Sequence, residues 1–270
     1  MSGRKKLIFA NWKMHFSVKQ ATAFAKKLSE RKINDGVVVA VAPATISLSP
    51  VSDALANSNI GVIAQNAYCR DEGAFTGEVS MPMLRGVAKY ILVGHSERRH
   101  VFNESDELIR AKMSAAVRSG IKPILCVGET LMEKEHYHTN SVISSQLEVG
   151  LADLTGDEVS KIIIAYEPVW ALSNGRDFSK HKMPSPDDIQ KAVDLIRKNI
   201  KELYGIEAAN KVRILYGGSS NADNAVAILS VSGIDGLLPG GASLSTATFW
   251  PIVEIAGAVS SVNKQKKKEA

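Results

Sequence analysis

A glutamate, Glu167, follows the apolar run Ile162-Ile163-Ile164-Ala165-Tyr166 directly, and Pro168 follows the glutamate. A carboxylate at the end of such a run is costly to bury unless a partner or a reaction needs it there. Desolvation makes a carboxylate a better base at neutral pH, and the proline holds Glu167 extended. An ion-paired structural glutamate is the competing reading. His95 leaves a second apolar run as a helical turn can start, with Ser96 as the expected N-cap. A helix start disfavours the protonated imidazole, so His95 is expected neutral and donating a hydrogen bond to a substrate oxygen. Asn11 and Lys13 stand two apart at the end of a third run, which lets them share one side of an extended chain. Two turns, Tyr216-Gly217-Gly218-Ser219 and Pro239-Gly240-Gly241-Ala242-Ser243, expose backbone N–H groups suited to phosphate. This set suits proton abstraction beside a carbonyl. Glu167 takes the carbon-bound proton, while His95 and Lys13 stabilise the developing enediolate oxygen. The six histidines are scattered and Cys69 and Cys126 lie far apart, so no metal-ligand cluster is expected. No Ser-His-Asp arrangement suggests itself.

These groups need a scaffold that brings distant strand ends together. Short apolar runs recur at 7–12, 37–41, 60–64, 90–93, 123–127, 161–166, 212–216 and 234–238. Most are continuously apolar, as strands of a parallel sheet covered by helices are. Helical periodicity fills gaps between them, at 18–31, from Ser105 to Gly120, and at 187–204, 221–229 and 246–258. The stretch 65–89, with Gly73, Gly77 and Pro82, reads as a long loop with a short helix. Alternating β and α permits an open doubly wound sheet or a closed barrel. Eight units match the barrel, whose chemistry belongs at the carboxyl ends of the strands. No GxGxxG follows the first strand, which weakens a dinucleotide reading. The expectation is an α/β chain folded as one (β/α)8 domain over 1–270, with a basic, disordered tail at 264–270.

Composition agrees with a soluble enzyme. Of 270 residues, 45% are hydrophobic and 23% charged. The net charge is +5, but much of the excess sits at the ends, in Arg4, Lys5 and Lys6 and in Lys264, Lys266, Lys267 and Lys268. Such short runs are usually solvated termini, so no nucleic-acid partner is expected. Two cysteines make no disulfide framework and fit a reducing compartment. With no signal-peptide pattern and no apolar run of membrane length, the expected location is cytoplasmic, without a membrane partner.

The motifs resemble the triosephosphate isomerase family. The likeness is carried by Phe9-Ala10-Asn11-Trp12-Lys13-Met14, by Gly73-Ala74-Phe75-Thr76-Gly77-Glu78-Val79-Ser80, and by the segment 94–102. Ala165-Tyr166-Glu167-Pro168-Val169-Trp170-Ala171, Tyr216-Gly217-Gly218-Ser219 and Gly240-Gly241-Ala242-Ser243-Leu244 extend it to residues 6–258. The resemblance implies a TIM barrel that interconverts dihydroxyacetone phosphate and D-glyceraldehyde 3-phosphate without a cofactor. It implies Glu167 as base, His95 as electrophile, Asn11 and Lys13 beside the carbonyl, and Glu97 paired with Lys13. Ser173, Ser219, Gly240 and Gly241 match phosphate donors, and the loop around Thr76 matches the arm received by a neighbouring subunit in a homodimer. Another phosphosugar isomerase or an aldolase, or a barrel kept as a binding protein, are the alternatives. One region departs from the pattern. The segment 171–185 after the base is about six residues longer than the family's lid, carries Ser173 in place of a glycine, and Pro239 precedes the second glycine pair.

Overall fold

The computed structural model describes residues 4–172 and 183–266. Eight parallel strands close into a barrel in chain order. They are β1 (Lys6–Asn11), β2 (Val37–Ala42), β3 (Ile60–Ala64), β4 (Tyr90–Val93), β5 (Lys122–Val127), β6 (Ile163–Tyr166), β7 (Arg213–Tyr216) and β8 (Gly236–Leu237). β8 closes the ring by pairing with both β7 and β1, Leu215 and Leu7 each standing opposite Gly236. β6 and β8 are shorter than the apolar runs foretell. At β8, pairing with β7 nevertheless extends to both sides, since Asp235 N–H donates to Ile214 and Leu238 N–H to Tyr216 at 2.7 and 2.8 Å.

The continuously apolar strands resolve into two alternating sets. Leu7, Phe9, Ala40, Ala42, Ile63, Tyr90, Leu92, Ile124, Cys126, Ile163, Ala165, Leu215 and Leu238 pack together as one buried cluster. Their strand neighbours, such as Ile8, Ala10, Val39, Val41, Ile91, Leu125, Ile164 and Ile214, belong to a second cluster with apolar helix residues. Successive side chains point to opposite faces of a strand, so the first set fills the barrel and the second faces the helices. That is why no polar alternation marks the strands.

The outer layer is built from α1 (Val18–Ser29), α2 (Leu48–Leu55), α3 (Ser96–His100), α4 (Asp106–Arg118), α5 (Leu131–Glu135), α6 (Thr139–Leu151), α7 (Gly156–Val159), α8 (Pro186–Lys211), α9 (Ala222–Ser230) and α10 (Thr246–Lys266). Ser17, Ser185 and Asn221 each close a capping box at the start of α1, α8 and α9. The helix expected to end at Tyr204 breaks there, because Gly205 takes φ 86°, and a further helical stretch runs on to Lys211. After β3 the chain makes a long loop with one helical turn, Pro82–Leu84. α10 runs to Lys266, past Ala258, so helix includes the first part of the segment read as a tail. No described helix is long and apolar enough to cross a membrane.

Candidate active site

The inward rows of the barrel lead straight to the expected site. Leu7 and Phe9 point into the barrel, and the next residue in that row is Asn11. Ile163 and Ala165 do the same on β6, and the next residue is Glu167. The polar groups therefore form the layer above the apolar plug, at the carboxyl ends of the strands. A cavity of about 490 Å³ opens over them, lined by Asn11, Lys13 and His95 on one side and by Gly217, Ser219, Gly240 and Gly241 on the other.

Lys13 is held in a strained backbone conformation, φ 51°, which a non-glycine residue keeps only when its surroundings fix it. Two side chains do so. Asn11 Oδ1 accepts the Lys13 N–H at 3.0 Å, and Gln65 Nε2 donates to the Lys13 carbonyl at 2.8 Å. The Lys13 ammonium is then 2.8 Å from Glu97 Oε1. Burial works against charge on Glu97, but the hydrogen bond from Lys13 and the nearby cations outweigh it and hold the carboxyl below its ordinary range. Glu97 thus stays ionised and aims Lys13.

His95, rather than Ser96, is the N-cap of α3. Its Nδ1 accepts the Glu97 N–H at 3.2 Å. A nitrogen that accepts carries no proton, so the ring's proton is on Nε2. Ser96 has a different duty: its backbone N–H donates to Glu167 Oε2 at 2.9 Å. The other carboxylate oxygen, Oε1, lies 3.4 Å from His95 Nε2 and has no hydrogen-bond partner. Glu167 is 2% exposed and sits behind His95, outside the lining of the large cavity. The geometry therefore brings Asn11, Lys13, His95, Ser219, Gly240 and Gly241 to the cavity and leaves Glu167 outside its lining, in contact distance of His95.

Both glycine turns expected to hold phosphate line the cavity. Among the described residues, the N–H groups of Ser219, Gly240 and Gly241 donate to no protein acceptor. Gly241 also opens a helical turn, Gly241–Leu244, whose first N–H groups point outward. Pro239 costs nothing here, since the group used at that position is its carbonyl, which accepts the Asn11 N–H at 2.9 Å. Ser173 lies outside the described residues, as does most of the lengthened segment after Glu167. Among the described residues no group of three or more His, Cys, Asp or Glu is placed to hold a metal ion.

Residues 6–256 match the family model described as triosephosphate isomerase. The chain belongs to the triosephosphate isomerase family. It is similar to the triosephosphate isomerase of Carboxydothermus hydrogenoformans, 46% identical across 93% of this chain and 98% of that one. The triosephosphate isomerase of Endomicrobium trichonymphae is 45% identical over the same shares. That of Protochlamydia amoebophila is 40% identical over 96% of both chains.

Within this isomerase fold, several supports of the site escape sequence reading. Glu129 is one. It is buried and accepts hydrogen bonds from the Tyr166 hydroxyl at 3.2 Å and the Trp170 indole N–H at 2.9 Å. Burial raises its carboxyl above the usual range although these donors pull it back. Burial, reinforced by Glu129, likewise pushes the Tyr166 phenol far up. The signal existed: Gly128-Glu129 follows β5 as Glu167 follows β6. Arg99 is another, donating to the Gly94 carbonyl at 2.8 Å and the Cys126 carbonyl at 3.2 Å. It thereby ties the ends of β4 and β5 beneath Glu167.

Gly217 leaves room for the Glu167 side chain in its present place. A Cβ there would stand 2.8 Å from Glu167 Cγ, closer than van der Waals contact allows. We expect Gly217→Ala to lower kcat by about tenfold or more, since misplacing a reacting group by about 1 Å costs on the order of 10²-fold. The melting temperature should change little. Steady-state kinetics beside thermal unfolding checks this, and unaltered kcat would show that the space is not used.

Proposed function

We propose that the chain isomerises dihydroxyacetone phosphate and D-glyceraldehyde 3-phosphate, with Glu167 as the single base. The observation that carries this reading is the placement of Glu167. Its unpartnered Oε1 lies beside His95 Nε2, at the top of the β6 inward row, next to a cavity lined, among the described residues, by Lys13 and by Ser219, Gly240 and Gly241, whose N–H groups donate to no described acceptor. The phosphate of the substrate sits on the N–H groups of Ser219, Gly240 and Gly241. Its carbonyl then reaches Asn11, Lys13 and His95. Glu167 turns away from the Ser96 N–H and removes a proton from the carbon beside the carbonyl. The electron pair moves onto the carbonyl oxygen, where Lys13 and the His95 Nε2–H stabilise it. Glu167, now protonated, returns a proton to the neighbouring carbon, and the hydroxyl proton passes between the two oxygens. Substrate and product are isomers, so the protons balance and no cofactor enters.

An imine-forming aldolase needs an uncharged lysine at the reacting carbon. Lys13 is the lysine lining the cavity among the described residues, and its Nζ is already engaged by Glu97 Oε1 at 2.8 Å. The test is a coupled assay of glyceraldehyde 3-phosphate turnover, with phosphoglycolate as an enediolate mimic. Turnover with competitive inhibition is expected. Trapping of substrate on Lys13 by borohydride would contradict the reading.

We also propose a homodimer in the cytoplasm. Residues 70–78, around Thr76, form a continuous exposed arm, and Met14, Met83, Val101 and Phe102 are 95%, 65%, 66% and 60% exposed. So many large apolar side chains in water call for a covering surface. Sedimentation should give twice the chain mass.

A further inference from the structure

Lys134 lies outside the cavity, on α5, yet it touches two residues, Trp170 and Asp188, that stand close in the chain to cavity-lining residues. Its Nζ stands 3.4 Å from the centroid of the Trp170 ring and 3.8 Å from Asp188 Oδ1. The edge of that ring is held as well, because the indole N–H donates to Glu129 Oε1 at 2.9 Å. Trp170 is therefore gripped on its face by a cation and on its edge by a carboxylate.

Each grip leads back to the cavity. Trp170 is the centre of the turn Val169–Ala171, whose Ala171 carbonyl accepts the Ser219 hydroxyl at 3.0 Å. Leu172, the next residue, lines the cavity. On the other side, Asp188 Oδ2 accepts the Ser185 N–H at 3.0 Å and the Ser185 hydroxyl at 2.8 Å, fixing the start of α8. Met183, two residues before that cap, lines the same cavity. The Asp188 arm is a half-exposed ion pair, and such pairs are weak. The cation over the indole is the stronger arm.

We propose that Lys134 is a positioning residue: through Trp170 and Asp188 it holds two cavity-lining residues, Leu172 and Met183, in place for binding the phosphorylated substrate. It touches neither Glu167 nor His95, so it acts on binding more than on proton transfer. The proposal rests on the reading of this cavity as the triose phosphate site.

The test is calorimetric titration of phosphoglycolate, with steady-state kinetics alongside. Lys134→Met keeps the length and the apolar stem. It is expected to raise the phosphoglycolate Kd and the KM by about threefold to tenfold, the scale of a lost partly desolvated cation–π contact. The kcat should stay within about twofold. Lys134→Arg should restore binding, because a guanidinium also stacks on an indole and pairs with a carboxylate. In a Trp170→Phe background, Lys134→Met should add less than about twofold. The emission of Trp170, read as the difference between wild type and Trp170→Phe, should shift in Lys134→Met. Wild-type affinity in Lys134→Met overturns the proposal, and so does a fall in kcat at constant KM. A loss that persists undiminished in the Trp170→Phe background also overturns it. Failure of the wild type itself to bind phosphoglycolate would overturn the cavity reading and the proposal together.

Discussion

Glu167→Gln is expected to lower kcat by at least ~10²–10⁴, the range for a lost general base, with KM changed only a few-fold. The amide keeps the shape and can still lie against the Ser96 N–H, which now donates to Glu167 Oε2 at 2.9 Å. What it cannot do is take a proton. The effect therefore isolates basicity from packing. Among the described residues, the other candidate bases at the site are already engaged. His95 uses Nδ1 to accept the Glu97 N–H, and Glu97 is engaged by Lys13 at 2.8 Å. Glu129, a further buried carboxylate near the site, accepts from Tyr166 and Trp170. A variant that turns over at the wild-type rate in the coupled assay would remove Glu167 from the mechanism.

Lys13→Met is the second large effect. We expect kcat/KM to fall by about 10²–10³, comparable to the loss of one donor aimed at a developing oxyanion, and phosphoglycolate binding to weaken in parallel. Lys13 is the cation that lines the cavity among the described residues, and a dianionic ligand needs one there. Its removal also leaves Glu97 without its main partner, which adds an unfavourable negative charge beside the substrate. The pH dependence has a definite sign. Glu97 is held below its ordinary range, so its stabilising share is fully present above about 4.3, the unfolded carboxylate value. That share disappears only as pH falls through the lower folded value. Wild-type stability, followed by urea unfolding, should therefore show no contribution titrating with Glu97 between about pH 6 and 9. A Glu97-dependent change in wild-type stability near neutrality would mean that Glu97 is not the fixed anion opposite Lys13.

Much of the site is legible in the sequence because its key groups are local to strand ends. Glu167 could be found from five preceding apolar residues and one following proline. The two glycine turns could be found because their spacing from β7 and β8 is short. The supports are harder to see because their partners are remote in the chain. Gln65 holds the Lys13 backbone across 52 positions, and Tyr166 reaches Glu129 across 37. Strand periodicity carries no hint of such pairs. The cap of α3 was misread for a chemical reason. Serine is the favoured capping residue, but here an imidazole nitrogen does the accepting, and the serine's own N–H is turned toward Glu167. The barrel interior was equally hidden. Both faces of each strand are apolar, so which residues fill the barrel follows only from the closed pairing of β1 with β8.

The central claim is that one carboxylate removes and returns the carbon-bound proton. Turnover of dihydroxyacetone phosphate in D₂O, followed by proton NMR, tests it most directly. The account predicts that the wild type places solvent deuterium on carbon 2 of the glyceraldehyde 3-phosphate formed, and that Glu167→Gln loses exchange and turnover by the same factor. Exchange at the wild-type rate in Glu167→Gln would contradict it.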